Sequence, residues 1–299
     1  MTGTAELLAM MQGWPKPVYV AIDGVLLPDV PGVTGRSGIS ARSLFVEHRD
    51  PGTVLAGPWF AALDDRHLKS FLLIEGIETA AVFWGGAAEE AVVFRHLRSL
   101  NLFDIPRSAD APPDPFAADP ETVLFRHWDP AMMALVLPVL EPAQRARLLG
   151  PMDMVGLYAS SLGGAREAKR RANWPTPVRG RIRLSVAQME QITKAMVEGS
   201  RQRIAAYLRD TAWAQTVAMD NKALLEFIER SEAIGRSWGL VTEAGFGRFA
   251  WLMLATHGGI ATMEPVRAGI AAAETPPDRA LGTLMGVMAA QLRAQDLSR

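Results

Sequence analysis

Cysteine is absent from all 299 residues. That excludes a disulfide framework, a zinc–thiolate site and a cysteine nucleophile, and it fits a reducing compartment. An excess of either charge is also missing: 31 basic residues stand against 32 acidic ones, for a net charge of −1. Nothing in that balance draws the whole chain to nucleic acid or to an anionic membrane. Long apolar runs are lacking too. The longest uncharged stretch, residues 249–263, is broken by His257, Gly258 and Gly259, whereas a spanning helix needs about 20 apolar residues. The first fourteen residues place Glu6, and no Lys or Arg, before or within the apolar stretch Leu7-Leu8-Ala9-Met10-Met11; a secretory leader needs a basic start, so a surface helix is expected. Together these features predict a cytoplasmic globular protein without a membrane span.

Familiar catalytic motifs are missing as well. Gly32-Val33-Thr34-Gly35-Arg36-Ser37-Gly38 has the glycine content of a phosphate loop but not its Gly-Lys-Ser/Thr ending, and is expected to be a flexible loop. No Gly-x-Ser-x-Gly elbow occurs. The histidines, at positions 48, 67, 96, 127 and 257, lack the i, i+4 spacing that sets two ligands on one helical face. No metal and no cofactor is expected.

What is present is material for packed cores: 49% hydrophobic and 21% charged residues, over a length that suggests about two domains. The β-branched run Val18-Tyr19-Val20-Ala21-Ile22, ending at Asp23-Gly24, reads as a strand and turn. Residues 79–84 and 122–128 are further strand candidates. Residues 89–100 place Val92, Val93, His96, Leu97 and Leu100 on one helical face. The acidic, proline-rich residues 104–120 read as a surface loop. Residues 160–184 hold Gly163-Gly164 and several cations, and the composition changes there. Beyond them, Ser185 and Gln188 have capping-box spacing, Asn221 and Thr242 are candidate caps, and five amphipathic helices follow. The predicted organisation is an α+β or α/β lobe with a small sheet over residues 1–160, a basic linker over 161–184, and an all-α helical lobe over 185–299.

Two stretches carry possible chemistry. In Phe125-Arg126-His127-Trp128-Asp129-Pro130 a strand ends, Asp129 can cap the free amides of the next helix, and Pro130 suits its first turn. Arg126 lies within reach of Asp129, which predicts a strand-to-helix corner pinned by an ion pair. The competing reading is a hydrolase or transferase using Arg126 and Asp129 with a histidine. The second stretch is basic: Arg166, Lys169, Arg170, Arg171, Arg179 and Arg181 could contact an acidic partner. Trp174 is the one aromatic within it, which argues against nucleic acid. Fourteen methionines suit core packing first and adaptable peptide binding second.

Four blocks in chain order resemble the type VI secretion effector-adaptor family (Tap or TEC chaperones, domain of unknown function 4123). They are the strand and Asp-Gly turn of residues 18–24, Leu55-Ala56-Gly57-Pro58-Trp59-Phe60-Ala61-Ala62-Leu63, Phe94-Arg95-His96-Leu97-Arg98-Ser99-Leu100, and Leu124-Phe125-Arg126-His127-Trp128-Asp129-Pro130. The resemblance spans residues 18–151. One departure is His127-Trp128, where the family often has an aromatic–tyrosine pair. The resemblance implies a non-enzymatic cytoplasmic chaperone that binds one cognate effector and promotes its loading onto a VgrG-type spike protein, with no nucleic acid among its partners. Phe125, Arg126, Trp128, Asp129 and Pro130 would form its signature corner.

Overall fold

The computed structural model describes residues 3–107, 120–160 and 163–296, and the side chains of those up to residue 286. Most of the proline-rich stretch, residues 108–119, lies outside the described residues. The chain divides into two compact units, Met1–Ala195 and Met196–Arg299. The first is a mixed α and β unit built on a sheet, and the second is all helical.

In chain order the first unit contains α1 (Gly3–Met11), β1 (Val18–Asp23), α2 (Val30–Gly35), β2 (Arg42–Ser43), α3 (Pro51–Ala56), β3 (Pro58–Leu63), α4 (Asp65–Phe71), α5 (Ile77–Ala80), β4 (Ala81–Gly85) and α6 (Glu90–Arg98). There follow β5 (Leu102–Ile105), β6 (Glu121–Leu124), α7 (Pro130–Val139), α8 (Pro142–Leu149), β7 (Met154–Ala159) and β8 (Gly164–Lys169). Six strands form one sheet in the order β2-β3-β1-β4-β7-β8, with every neighbour antiparallel, while β5 and β6 pair as a separate ribbon.

Side chains alternate across a strand, so each central strand feeds two cores. Tyr19, Ala21, Phe60, Val82 and Trp84 face one, together with Val93 and Leu97 of α6, Met133 and Val136 of α7, and Leu148 and Leu149 of α8. Val18, Val20, Ile22, Ala61, Leu63, Ala81 and Phe83 face the other, with α1, α4 and α5. Burial on both faces explains why β1 reads as a continuous apolar run rather than an alternating one. Helices α3 and α7 are six and ten residues long, too short to persist alone. Met133 and Val136 hold α7 to the first core, each fully buried side chain contributing about 1.5–3 kcal/mol. By contrast, α3 buries no residue fully and rests on its Asp50 cap and the half-buried Val54.

Several expectations need correction here. The N-terminal helix is not confined to the surface: Leu7 and Met11 are fully buried in the second core. Residues 32–38 are not all loop. Asp29 accepts a hydrogen bond from the Gly32 amide at 3.2 Å and starts α2, which ends only at Gly35. The third strand candidate is shorter than expected, because residues 125–128 leave the ribbon at the corner.

The basic stretch is not a linker. Its first part is β8, an edge strand of the sheet, and Ile182 and Leu184 are buried in the first core. The compact unit runs on into the next helix, α9 (Val186–Thr211), whose Ile192 belongs to that same core. The start of α9 is fastened twice. The Ser185 and Gln188 capping box forms, with Gln188 N to Ser185 Oγ at 3.2 Å and Ser185 N to Gln188 Oε1 at 2.9 Å. Gln188 Nε2 also donates to Gln144 Oε1 of α8 at 2.6 Å.

In the second unit, α9 continues into α10 (Trp213–Thr216), α11 (Asn221–Ser237), α12 (Glu243–Ala255), a 3-10 turn (Gly259–Thr262), α13 (Glu264–Ala271) and α14 (Pro277–Asp296). Its core gathers Leu208, Leu224, Ile228, Phe249, Leu252 and Leu281. Thr242 caps α12 through the Gly245 amide at 3.0 Å, as its position predicts. The cap of α11 is Asp220, not Asn221; its Oδ1 accepts from the Ala223 amide at 2.7 Å. Among the described residues, no helix is long and apolar enough to cross a membrane.

Candidate functional site

The corner predicted around residues 125–130 forms, and it has a partner that sequence spacing did not reveal. Arg126 Nη2 lies 2.6 Å from Asp23 Oδ2 and 3.5 Å from Asp129 Oδ2. Each carboxylate divides its work. Oδ1 of Asp23 accepts from the amides of Val25 and Leu26 at 2.8 and 3.3 Å, while its other oxygen holds Arg126. Oδ1 of Asp129 accepts from Ala131 and Met132 at 2.9 and 3.3 Å, capping α7. Burial works against the Arg126 charge, but the hydrogen bond and charge of Asp23, and then Asp129, outweigh it and hold its pKa above the ordinary arginine value.

The other blocks converge on the same region. The Gly24 amide donates to the Gly57 carbonyl at 3.1 Å. A Cβ at Gly24 would stand 2.1 Å from the Leu55 carbonyl oxygen, so only glycine fits this crossing. Phe125 stacks on Phe103 with ring centroids 3.8 Å apart, and Trp128 meets Phe45 edge-on at 5.7 Å.

His127 is fully buried, with Nε2 at 3.1 Å from Asn101 Oδ1. Its pKa is lowered to about 3, by burial first and then by His96. His96 Nε2 stands 2.9 Å from the Leu148 carbonyl. Burial lowers its pKa to about 4 against the pull of that carbonyl, with Arg147 and Arg170 adding to the fall. Both rings are therefore neutral at pH 7. Phe125, Trp128 and Pro130 are buried as well, and Arg126 is the corner residue that keeps a substantial exposed surface. The carboxylates of Asp23 and Asp129 are committed to backbone amides and to Arg126, as in a structural joint, while Nδ1 of the buried His127 has no hydrogen-bond partner among the described residues. Among the described residues, no three His, Asp or Glu side chains gather as a metal site would require.

The basic stretch separates into two kinds of residue. Arg170 turns inward, donating to the Met152 carbonyl at 3.0 Å and to the Gly150 carbonyl, and Arg181 pairs with Asp104 at 3.3 Å across the ribbon. Both tie loops together. Arg179 is exposed. Arg166, Lys169 and Arg171 instead border an open cleft of about 690 Å³ in the first unit. Its apolar walls come from Ala134 and Leu137 of α7, Leu149 of α8, Leu157 of β7, Ala168 of β8, and Trp174. Pro138, Arg145 and Glu167 complete the lining. Sequence reasoning found the cations but not the walls, because those come from segments that only the fold brings together.

No curated protein and no solved structure matches the chain. A family model does: residues 18–147 match the one described as Domain of unknown function (DUF4123). The matched segment opens at β1 and stops within α8, so it contains all four blocks of the corner, while β7, β8 and the helical unit lie beyond it.

Proposed function

We propose that this protein is a cytoplasmic, non-enzymatic adaptor that binds a cognate type VI secretion effector and promotes its loading onto a VgrG-type spike protein. The observation that carries the proposal is the coincidence of the DUF4123 match with the four ordered blocks that resemble the effector adaptors. Those blocks build a scaffold in place of a reaction centre. The competing hydrolase or transferase reading needs Asp129 and a histidine available to a substrate. Asp129 is occupied capping α7, His127 is sealed in the core, and the ring of His96 faces a backbone carbonyl. What the first unit offers a partner is the cleft beside β8, whose apolar walls and charged border suit protein recognition.

Co-expression with any toxin and spike genes encoded beside its own tests the proposal. The tagged chain is expected to retain the effector through purification and to recruit the spike protein with it. Recovery of the chain alone, with both candidates expressed and folded, would count against adaptor function.

A further inference from the structure

We infer that the outer edge of β8 and the cleft beneath it take an extended, acidic and apolar segment of a partner chain, added to the sheet as a further strand. Three features argue for this occupant. The first is the edge itself. β8 ends the sheet, and among the described residues no strand pairs with its outer side. In an antiparallel ladder, residues alternate between bonding across the pair and pointing away from it. The Arg170 amide bonds across to the Asp153 carbonyl, whereas the Ala165 amide points away and is taken by Glu6 at 3.0 Å. The alternation therefore directs the amides and carbonyls of Glu167 and Lys169 outward, where an incoming strand pairs.

The second feature is the cleft. Leu157 and Ala168 lie on the sheet face that continues into it, opposite Leu137 and Trp174. Every second side chain of an added strand would point toward that apolar space. The third is charge. Among the described residues, the cations Arg145, Arg166, Lys169 and Arg171 border the cleft together with one acid, Glu167. Glu167 accepts from the Trp14 indole at 2.7 Å and pairs with Lys169 at 2.9 Å, so the border carries an excess of positive charge. Arg145 donates from Nη2 to the Pro138 carbonyl at 2.7 Å, and among the described residues its buried Nε has no hydrogen-bond partner. A segment carrying Asp or Glu between apolar residues answers both the walls and the border. A nucleic-acid strand would need several exposed aromatic faces for its bases, and the cleft has one half-buried tryptophan.

That the partner is a secreted effector rests on the proposed function; the chemistry of the segment does not. Selection of short random peptides displayed on phage against the full chain supplies the probe. The enriched peptides are expected to alternate acidic with Leu, Ile, Val or Phe residues. The double substitution Arg166→Glu/Arg171→Glu is expected to weaken them about tenfold, as reversal of two exposed charge pairs implies. Lys169→Pro removes an outward amide without touching a bond to β7, and is also expected to weaken binding. Amide exchange at Glu167 and Lys169 should slow on binding. Both variants are scored only with the parent's unfolding midpoint; if either is destabilised, the exchange measurement on the parent decides.

Failure to enrich any peptide, an enriched set without acidic excess, binding unchanged by both variants, or equal competition by a thymidine oligonucleotide would each overturn the inference. An effector that co-purifies equally with the parent and with Arg166→Glu/Arg171→Glu would overturn it and leave the adaptor reading standing. Peptide capture at β8 with no effector co-purification would do the reverse.

Discussion

Asp23 and Arg126, 103 residues apart in the chain, meet side chain to side chain at 2.6 Å. The Asp23 side chain is wholly buried at the end of the central strand, while the Arg126 side chain keeps 38% of its surface exposed. This pair joins the first motif block to the last, so its loss should loosen the whole corner.

Removing the cation strands a buried charge, which costs more than removing the anion's charge from a half-exposed arginine. Arg126→Ala should destabilise the protein by about 2–3 kcal/mol, and Asp23→Asn, which keeps an acceptor for the Val25 and Leu26 amides, by about 1–2 kcal/mol. Urea denaturation at pH 7 checks the order. Equal or inverted losses would show that the pair does not anchor the corner.

At Gly24 the obstacle to a side chain is backbone: its Cβ would lie 2.1 Å from the Leu55 oxygen and 2.6 Å from that of Gly57. Backbone cannot swing aside as a flexible side chain can, so Gly24→Ala should cost at least the ~1–3 kcal/mol typical of overpacking. Gly13, where a methyl group would meet nothing within 4 Å, is the control. Gly13→Ala should leave the thermal midpoint close to the parent's.

Asp129 distinguishes a structural corner from a catalytic one. As a helix cap, Asp129→Ala should cost about 1 kcal/mol, whereas asparagine caps nearly as well. Asp129→Asn should therefore keep the cap and lose only the weak pairing with Arg126, less than about 1 kcal/mol in urea, and should match the parent in effector binding if the adaptor reading holds. A carboxylate required for chemistry would fail in both variants while the fold survived.

The buried histidines set a pH dependence. His96 and His127 have folded pKa values of about 4 and about 3, below the unfolded value of about 6.5. The unfolded chain therefore binds more protons than the native one as pH falls below ~6.5. Their contribution is fully present above that pH and is lost progressively on acidification toward the folded values. Between pH 6.5 and 5, where most carboxylates stay ionised, the urea midpoint should drop. The drop should shrink in the double variant His96→Gln/His127→Gln; an unchanged slope would assign it to other groups.

Much of this structure was legible in local sequence. The apolar run at β1, the Asp129-Pro130 helix start, the Ser185 and Gln188 box and the Thr242 cap each depend on residues within a few positions of one another. The edge strand β8 was not. Gly164-Ala165-Arg166-Glu167-Ala168-Lys169 has the alanine and charge of a helix former, and pairing with β7 overrides that preference. β3 was also hidden, because Pro58-Trp59-Phe60-Ala61-Ala62-Leu63 has a proline, two alanines and no β-branched residue, unlike the Val- and Ile-rich β1. Asp23 as the partner of Arg126, and the meeting of Leu137, Leu157 and Trp174 in one cleft, depend on distant segments that no local spacing encodes.

As the proposed adaptor, this protein would act by covering a surface of another chain. Expression of a candidate effector with and without it, followed by sedimentation and mass measurement of the soluble fraction, tests that proposal most directly. The effector is expected to sediment as aggregate when alone and to stay in solution, in a complex of defined stoichiometry, when the two are made together. An effector that stays soluble and unbound in both cases, or aggregates in both, would contradict it.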